Sequence, residues 1–250
     1  MIVRRRLALA ATAPLALALA ACGSGEDAAG GAPAGEPIAP IAAPAGQNWA
    51  ETAAVTPEGG YVLGNPEAPV RLVEYVSHTC PACAAFSEES AEPIEEYVAS
   101  GVVSYEIRNQ VHNALDLTLA MLLRCGEPAS FHPLAHQVWA NLGEISSTAQ
   151  ANDAALQRAT TMEGAQRYQG IAQAAGLLDF FAERGISRDQ AMQCLSDPAR
   201  ADRIVENSTT QSDELGVTGT PTFFLNGSQL DTNGWQEVEA ALQRAGARPS

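Results

Sequence analysis

The chain contains no lysine. All 14 basic residues are arginine, set against 29 aspartates and glutamates, for a formal net charge of −15 over 250 residues. Three of those arginines (Arg4, Arg5 and Arg6) sit at the extreme N-terminus, so loss of residues 1–21 would leave 11 arginines against 29 acids, a formal charge of −18. That balance leaves no basic patch for nucleic acid and excludes it as a partner. Long apolar runs are missing as well. The longest, Leu7 to Ala21, is shorter than the ~20 residues a bilayer crossing needs, and Gly23-Ser24-Gly25-Glu26-Asp27 follows at once. Cysteine is sparse, and no second Cys-x-x-Cys or histidine pair accompanies Cys80 and Cys83. His78, Cys80 and Cys83 offer three donors where a structural zinc site wants four, which argues against a metal. Ala84 stands where covalent haem attachment requires histidine, so no cofactor is expected.

What is present begins with an export signal. A basic start, an apolar run and Leu19-Ala20-Ala21-Cys22 have the layout of a secretory leader spanning 1–21. Those four residues also resemble the bacterial lipobox, which implies a diacylglyceryl group on the Cys22 sulfur and a membrane-anchored, periplasmic protein. Simple secretion with a chance cysteine is the alternative. From residue 22 to about 60 the composition is Ala, Gly, Pro and acidic, with Trp49 the main exception. This stretch reads as a disordered tether, reaching about 30 to 37 Å as a flexible coil.

Folded sequence is expected from Tyr61. Val70 to Val76 is rich in β-branched and aromatic residues, follows Pro66 and Pro69, and suits a central strand. Pro81 fits a first helical turn, and Ala82 to Ala99 continues the helix with a kink or a restart near Pro93. Gly101 stops it and Val102 to Ile107 is the next strand, completing a crossover unit over 61–112. Residues 113–197 carry leucines at helical spacing and no convincing strand. In 198–250, Asp197 and Pro198 open a helix that ends at Gly216. Thr222 to Leu230 then reads as a hairpin on Asn226-Gly227, and a last helix runs to Ala245.

A strand running into Cys80-Pro81-Ala82-Cys83 at a helix start, with Gly219-Thr220-Pro221-Thr222-Phe223-Phe224 before a late hairpin, resembles the thioredoxin fold. With the helical insertion, the chain resembles the DsbA-like thiol:disulfide oxidoreductases over about Tyr61 to Arg244. The expected class is α/β, thioredoxin-like with an inserted helical subdomain. The chemistry also follows from the residues. Thiol–disulfide exchange needs a thiolate, and Cys80 at a helix N-terminus sits beside unsatisfied N–H groups and the positive end of the dipole. Cys83, one turn in, closes the disulfide and should be less exposed.

The resemblance implies further roles. Glu74, six residues before Cys80, matches the family's buried carboxylate, which passes the Cys83 proton; Leu72 and Val73 beside it look buried, although strand alternation also allows a surface-facing Glu. Pro221 matches the cis-proline, holding the Thr220 backbone open for an extended substrate, with Pro81 and Ala82 facing the same ligand. His78 is read two ways, as a partial substitute for the histidine that many such oxidases place between their cysteines, or as a solvated loop residue. Thr79, where typical thioredoxins have Trp, argues against a general reductase. Trp139, His132 and His136 read as packing and surface residues. In an exported protein, Cys125 and Cys194 are expected to join, as in some DsbA-like proteins, with free buried thiols the alternative.

The function these readings imply is donation of the Cys80–Cys83 disulfide to reduced or unfolded exported proteins by a monomer that a quinone-linked membrane protein re-oxidises. A tethered reductase or isomerase, or a non-enzymatic or metal-binding lipoprotein, are the other readings.

Overall fold

The computed structural model describes residues 35–250. The leader over 1–21 and Cys22 lie outside the described residues. Six strands form one mixed sheet in the order β1-β2-β4-β3-β5-β6. The central pair is parallel: β3 (Val70–Val76) and β4 (Val103–Asn109), joined by α1 (Pro81–Ala99). β2 (Tyr61–Gly64) lies antiparallel to β4, and β1 (Ala53–Val55) extends that edge. β5 (Thr222–Leu225) runs antiparallel to β3 and turns into β6 (Ser228–Gln229). Asn226 and Gly227 both take positive φ, 50° and 82°, as a two-residue hairpin turn requires. Asn226 also pairs with Arg71, donating its N–H to the Arg71 carbonyl and accepting the Arg71 N–H on Oδ1.

Seven helices separate β4 from the C-terminal half: α2 (Ala114–Leu123), α3 (Phe131–Ala140), α4 (Leu142–Ala151), α5 (Asp153–Thr160), α6 (Gly164–Ala174), α7 (Leu177–Ala182) and α8 (Arg188–Cys194). Then come α9 (Pro198–Leu215), opened by the Asp197 side chain and closed by Gly216 in the left-handed conformation, and α10 (Trp235–Arg244) after the hairpin. The main core lies between one sheet face, α1, α10 and the helical block. Phe86 of α1 packs its ring 4.5 Å from Phe223 and 6.2 Å from Trp235. α1 runs unbroken through Pro93. The carbonyl that loses its N–H partner there belongs to Glu89, which is exposed and open to water.

The tether is shorter than its composition implies. Residues 35–60 are laid against the domain. Gly35 N–H donates to Gln243 O, Ile38 N–H to Gly246 O and Ile41 N–H to Ser100 O. Trp49 is buried and its Nε1–H donates to Ile41 O at 2.8 Å. Small residues here serve close approach rather than flexibility: a Cβ on Gly35 would meet the Arg244 carbonyl at 2.3 Å. β1, with one half-buried and two exposed residues, and the four-residue β2 are too short to show alternation, which hid both.

Candidate active site

β3 ends at Val76, and the loop Ser77-His78-Thr79 delivers the chain to α1. Four groups hold that loop. Asp116, buried at the start of α2, accepts the His78 N–H at 2.7 Å and the His112 N–H at 2.9 Å. Trp139 Nε1–H donates to Ser77 O at 3.2 Å, and Asn113 Nδ2 donates to Thr79 Oγ1 at 3.1 Å. Ser77 Oγ accepts the Thr79 N–H. The helical block thus positions the turn that presents the cysteines.

Cys80 is the N-cap of α1 and Pro81 its first residue, where a missing N–H costs no intrahelical bond. Both cysteines are free thiols here and both are shielded, Cys83 completely. Cys80 Sγ accepts the Cys83 backbone N–H at 3.4 Å and donates to Thr220 O at 3.3 Å. The Thr220–Pro221 bond is cis, and this turn brings the Thr220 carbonyl to the sulfur. The Cys83 thiol, donating to Cys80, brings the Cys80 pKa down to about 5 against the opposing effect of burial. The Cys83 and Ala82 backbone N–H groups add to that stabilisation. The same hydrogen bond, with burial and the charge of Glu74, drives the Cys83 thiol far up. One sulfur is therefore a ready thiolate and the other a held proton.

Glu74 is buried beneath the pair. Alternation along β3 places Leu72, Glu74 and Val76 on the core face, while Val73 packs with Tyr75 and Phe224 in a separate cluster. Leu72, not Val73, is thus the neighbour that foretells its burial. Tyr105 donates to Glu74 Oε2, while Oε1 has no partner among the described residues. Burial first, and the Cys80 charge after it, push the carboxyl up to about 8 despite Tyr105. It can hold or release a proton near neutral pH.

His78 fits neither of its readings. Its ring is fully buried, 5.3 Å from Trp139 and 6.2 Å from Phe131 between centroids, and both ring nitrogens lack partners among the described residues. Burial, aided by the Arg124 charge, lowers its pKa to about 3, so the ring is neutral and adds no positive charge to the Cys80 thiolate.

Thr79 and Pro81 border a groove of about 660 Å³ between α1 and the α3–α4 turn. His136 and Trp139, read as packing or surface residues, both line it, and His136 Nδ1 pairs with Ser87 Oγ at 2.9 Å. His132 does pack, its Nε2 against Tyr61 O. Tyr105, Asp116 and Trp139 were missed because the only signal for each is a partner distant in sequence. Away from this site, Cys125 and Cys194 form a disulfide. Among the described residues no group of three or more His, Cys, Asp or Glu is arranged to hold a metal.

A family model described as Thioredoxin matches residues 56–244. A "Putative protein-disulfide oxidoreductase" of Rickettsia typhi is 27% identical over 185 residues, 74% of this chain and 61% of that protein, so the chain spans about three fifths of that relative. Among solved structures, a protein-disulfide isomerase from Novosphingobium aromaticivorans is similar at 30% identity and a TM-score of 0.69, covering 74% of this chain and 95% of that one. The alpha-DsbA1 of Wolbachia pipientis, at 21% identity and a TM-score of 0.59, covers 74% and 89% and shares the fold. The chain belongs to the thioredoxin family. Within it, a helical block set between the two halves of the sheet gives the architecture of the DsbA-like thiol:disulfide oxidoreductases.

Proposed function

We propose that the protein donates the Cys80–Cys83 disulfide to reduced exported proteins during oxidative folding. The observation that carries this reading is the unequal pair: Cys80 brought down to about 5 and Cys83 pushed far up. A stabilised thiolate favours the reduced enzyme, and an enzyme stable when reduced gives its disulfide away.

In the cycle, a substrate thiolate attacks Cys80 Sγ of the oxidised pair. The Cys80–Cys83 bond breaks and Cys83 leaves with the electron pair, taking a proton for which Glu74 is the buried reservoir. A second substrate thiolate attacks the mixed disulfide, a substrate disulfide forms, and Cys80 departs as thiolate. Two substrate thiols are oxidised and the enzyme pair is reduced. The cis Thr220–Pro221 turn, with Pro81 and Ala82 opposite, frames an extended substrate segment that can pair with the Thr220 backbone. The reading includes anchoring through Cys22 on the periplasmic side, a monomer, and re-oxidation by a quinone-linked membrane protein.

The name of the Novosphingobium structure favours an isomerase as the second reading. Equilibration of Cys80–Cys83 in graded glutathione buffers separates the possibilities. The oxidase reading expects a potential well above the about −270 mV of thioredoxin. A value at or below that would reverse the direction to reductase. Faster recovery of a scrambled test protein than of a reduced one would make it an isomerase.

A further inference from the structure

The scarcest charge in the molecule is concentrated in one place. Eleven arginines lie beyond the leader, and four of them, Arg108, Arg124, Arg200 and Arg203, line a single pocket of about 380 Å³. It lies between the β1–β2 turn, the end of β4, the C-terminus of α2 and one face of α9, on which Arg200, Arg203, Asn207 and Gln211 recur at helical spacing. Asn207 and Gln211 donate to Glu58 O at 3.2 and 2.7 Å and hold the turn in place as one wall.

The charges are only partly answered from within the protein. Arg108 is the answered one, held by Glu106 through two bonds at 2.7 and 3.0 Å with Glu58 at 3.6 Å. Arg200 and Arg203 share one carboxylate, Asp197, at 3.9 and 3.6 Å, and Asp197 is also occupied as the cap of α9. Arg124 has no carboxylate within 4.0 Å among the described residues. Its partners are neutral: Ala120 O at 2.9 Å, Asn109 Oδ1 at 2.6 Å and Gly59 O at 3.4 Å, with Tyr61 and Phe131 rings beneath it. Asp116, the buried carboxylate that acts on it from further off, is committed to the His78 and His112 N–H groups. Asn109, itself 7% exposed and part of the lining, spends its oxygen on Arg124 and leaves Nδ2 with no acceptor. Arg124 itself makes its hydrogen bonds through Nη1 and Nη2 to these neutral acceptors.

We propose that this pocket binds an oxyanion of the phosphate class, the ligand whose several acceptor oxygens match four clustered guanidinium groups, Arg124 among them without a carboxylate, and the unpaired Asn109 amide. Inorganic phosphate, a diphosphate and a phospholipid headgroup share that chemistry. The site is separate from the cysteine pair, and it draws on none of the residues assigned to exchange. It also adjoins the second disulfide: Arg200 Nη1 donates to the Arg124 carbonyl at 3.2 Å and approaches Cys194 Sγ at 3.5 Å, which ties α9 to the end of α2.

The test is calorimetric titration of the full-length protein with inorganic phosphate and with pyrophosphate in a chloride buffer of matched ionic strength. A parallel arm compares sedimentation with phosphatidylglycerol and phosphatidylcholine vesicles. Arg124→Gln is expected to weaken pyrophosphate binding by about tenfold or more, the loss of a charge-assisted donor pair. Arg203→Gln, at a side chain 64% exposed and so safe for folding, is expected to weaken it by about three- to tenfold. Saturable pyrophosphate binding reduced in these variants supports a soluble ligand. An excess on phosphatidylglycerol over phosphatidylcholine that the variants lose, with no binding of free anion, supports the headgroup. No saturable binding in either arm, or binding equal in wild type and Arg203→Gln, overturns the site.

Discussion

Two cysteine pairs occupy one chain and share almost nothing but sulfur. Cys80 and Cys83 stand three residues apart at the start of α1, whereas Cys125 and Cys194 close a span of 69 residues between the ends of α2 and α8. A bond between near neighbours on one helix removes little freedom from the unfolded chain. A bond across 69 residues removes about 4 kcal/mol of it in the chain-entropy model. The electrostatics separate them further: backbone N–H groups, a thiol donor and a buried carboxyl surround the first pair. The second has an arginine beside it and no carboxyl among its hydrogen-bond partners. Location on the scaffold, rather than the cysteines themselves, decides which bridge is chemistry and which is architecture.

The largest effect that would break this contrast is loss of function from the wrong pair. Cys80→Ser is expected to reduce catalysed refolding of a reduced test protein to the uncatalysed rate, and Cys83→Ser, whose Cys80 thiolate can open a disulfide-bonded test protein but has no partner to resolve the product, to accumulate enzyme–substrate mixed disulfides on non-reducing gels. The Cys125→Ser/Cys194→Ser double variant should keep its refolding rate within a fewfold while losing about 4 kcal/mol in urea unfolding. Equal stability with lost activity in that double variant would reverse the assignment of roles.

Glu74 sharpens the comparison next. Glu74→Gln is expected to slow exchange by about a hundredfold, the low end for proton-transfer groups, in single-turnover thiol oxidation. It should also raise stability. A carboxyl held at about 8 when folded and near 4.5 when unfolded favours the fold fully below pH 4.5, and the benefit is lost as pH rises through 8. Glu74→Gln should therefore flatten the decline in melting temperature between those limits, and an unchanged profile would mean that Glu74 is not buried as a neutral acid.

Cys80 titrates the other way. Its folded pKa is depressed, so the thiolate stabilises the reduced fold fully above pH ~9; that contribution shrinks as pH falls and is gone below about 5. Alkylation of the reduced protein by iodoacetamide should therefore rise through a midpoint near pH 5 and stay level to pH 8. A midpoint near the ordinary thiol value of about 8.5 would remove the basis of the proposed direction.

The legibility of these features in the sequence followed their range. The Cys80-Pro81 helix start, the Asn226-Gly227 turn and the Asp197-Pro198 opening of α9 are encoded by neighbours within a few residues, and each could be read directly. Glu74 was legible through family resemblance and the apolar Leu72 near it, since strand alternation alone also allowed it to face outward. What resisted reading depends on partners far along the chain. His78 turns inward because Asp116, 38 residues away, holds its N–H, and the 35–41 segment is ordered by the backbone at Ser100 and at 243–246. Composition reported glycine and alanine there, and it could not tell a flexible coil from a strand of small residues fitted against a wall.

Trp139 offers the smallest and most specific test of how the helical block serves the cysteine pair. Its Nε1–H reaches Ser77 O at 3.2 Å, and the Cys80 N–H donates to that same carbonyl at 3.2 Å. Trp139→Phe keeps an aromatic ring against His78 and removes one donor, so stability should fall by only about 1 kcal/mol. The carbonyl keeps its Cys80 partner but loses the one that fixes it from α3. The turn is then held from the helical block by Asp116 and Asn113 only, and the alkylation midpoint should move upward by a few tenths of a pH unit, an order-of-magnitude expectation for one lost neutral hydrogen bond acting through a neighbour. An unmoved midpoint with the full loss of stability would mean that the helical block supports the turn without tuning its sulfur. The second disulfide, which secures that block, would then be wholly independent of the first.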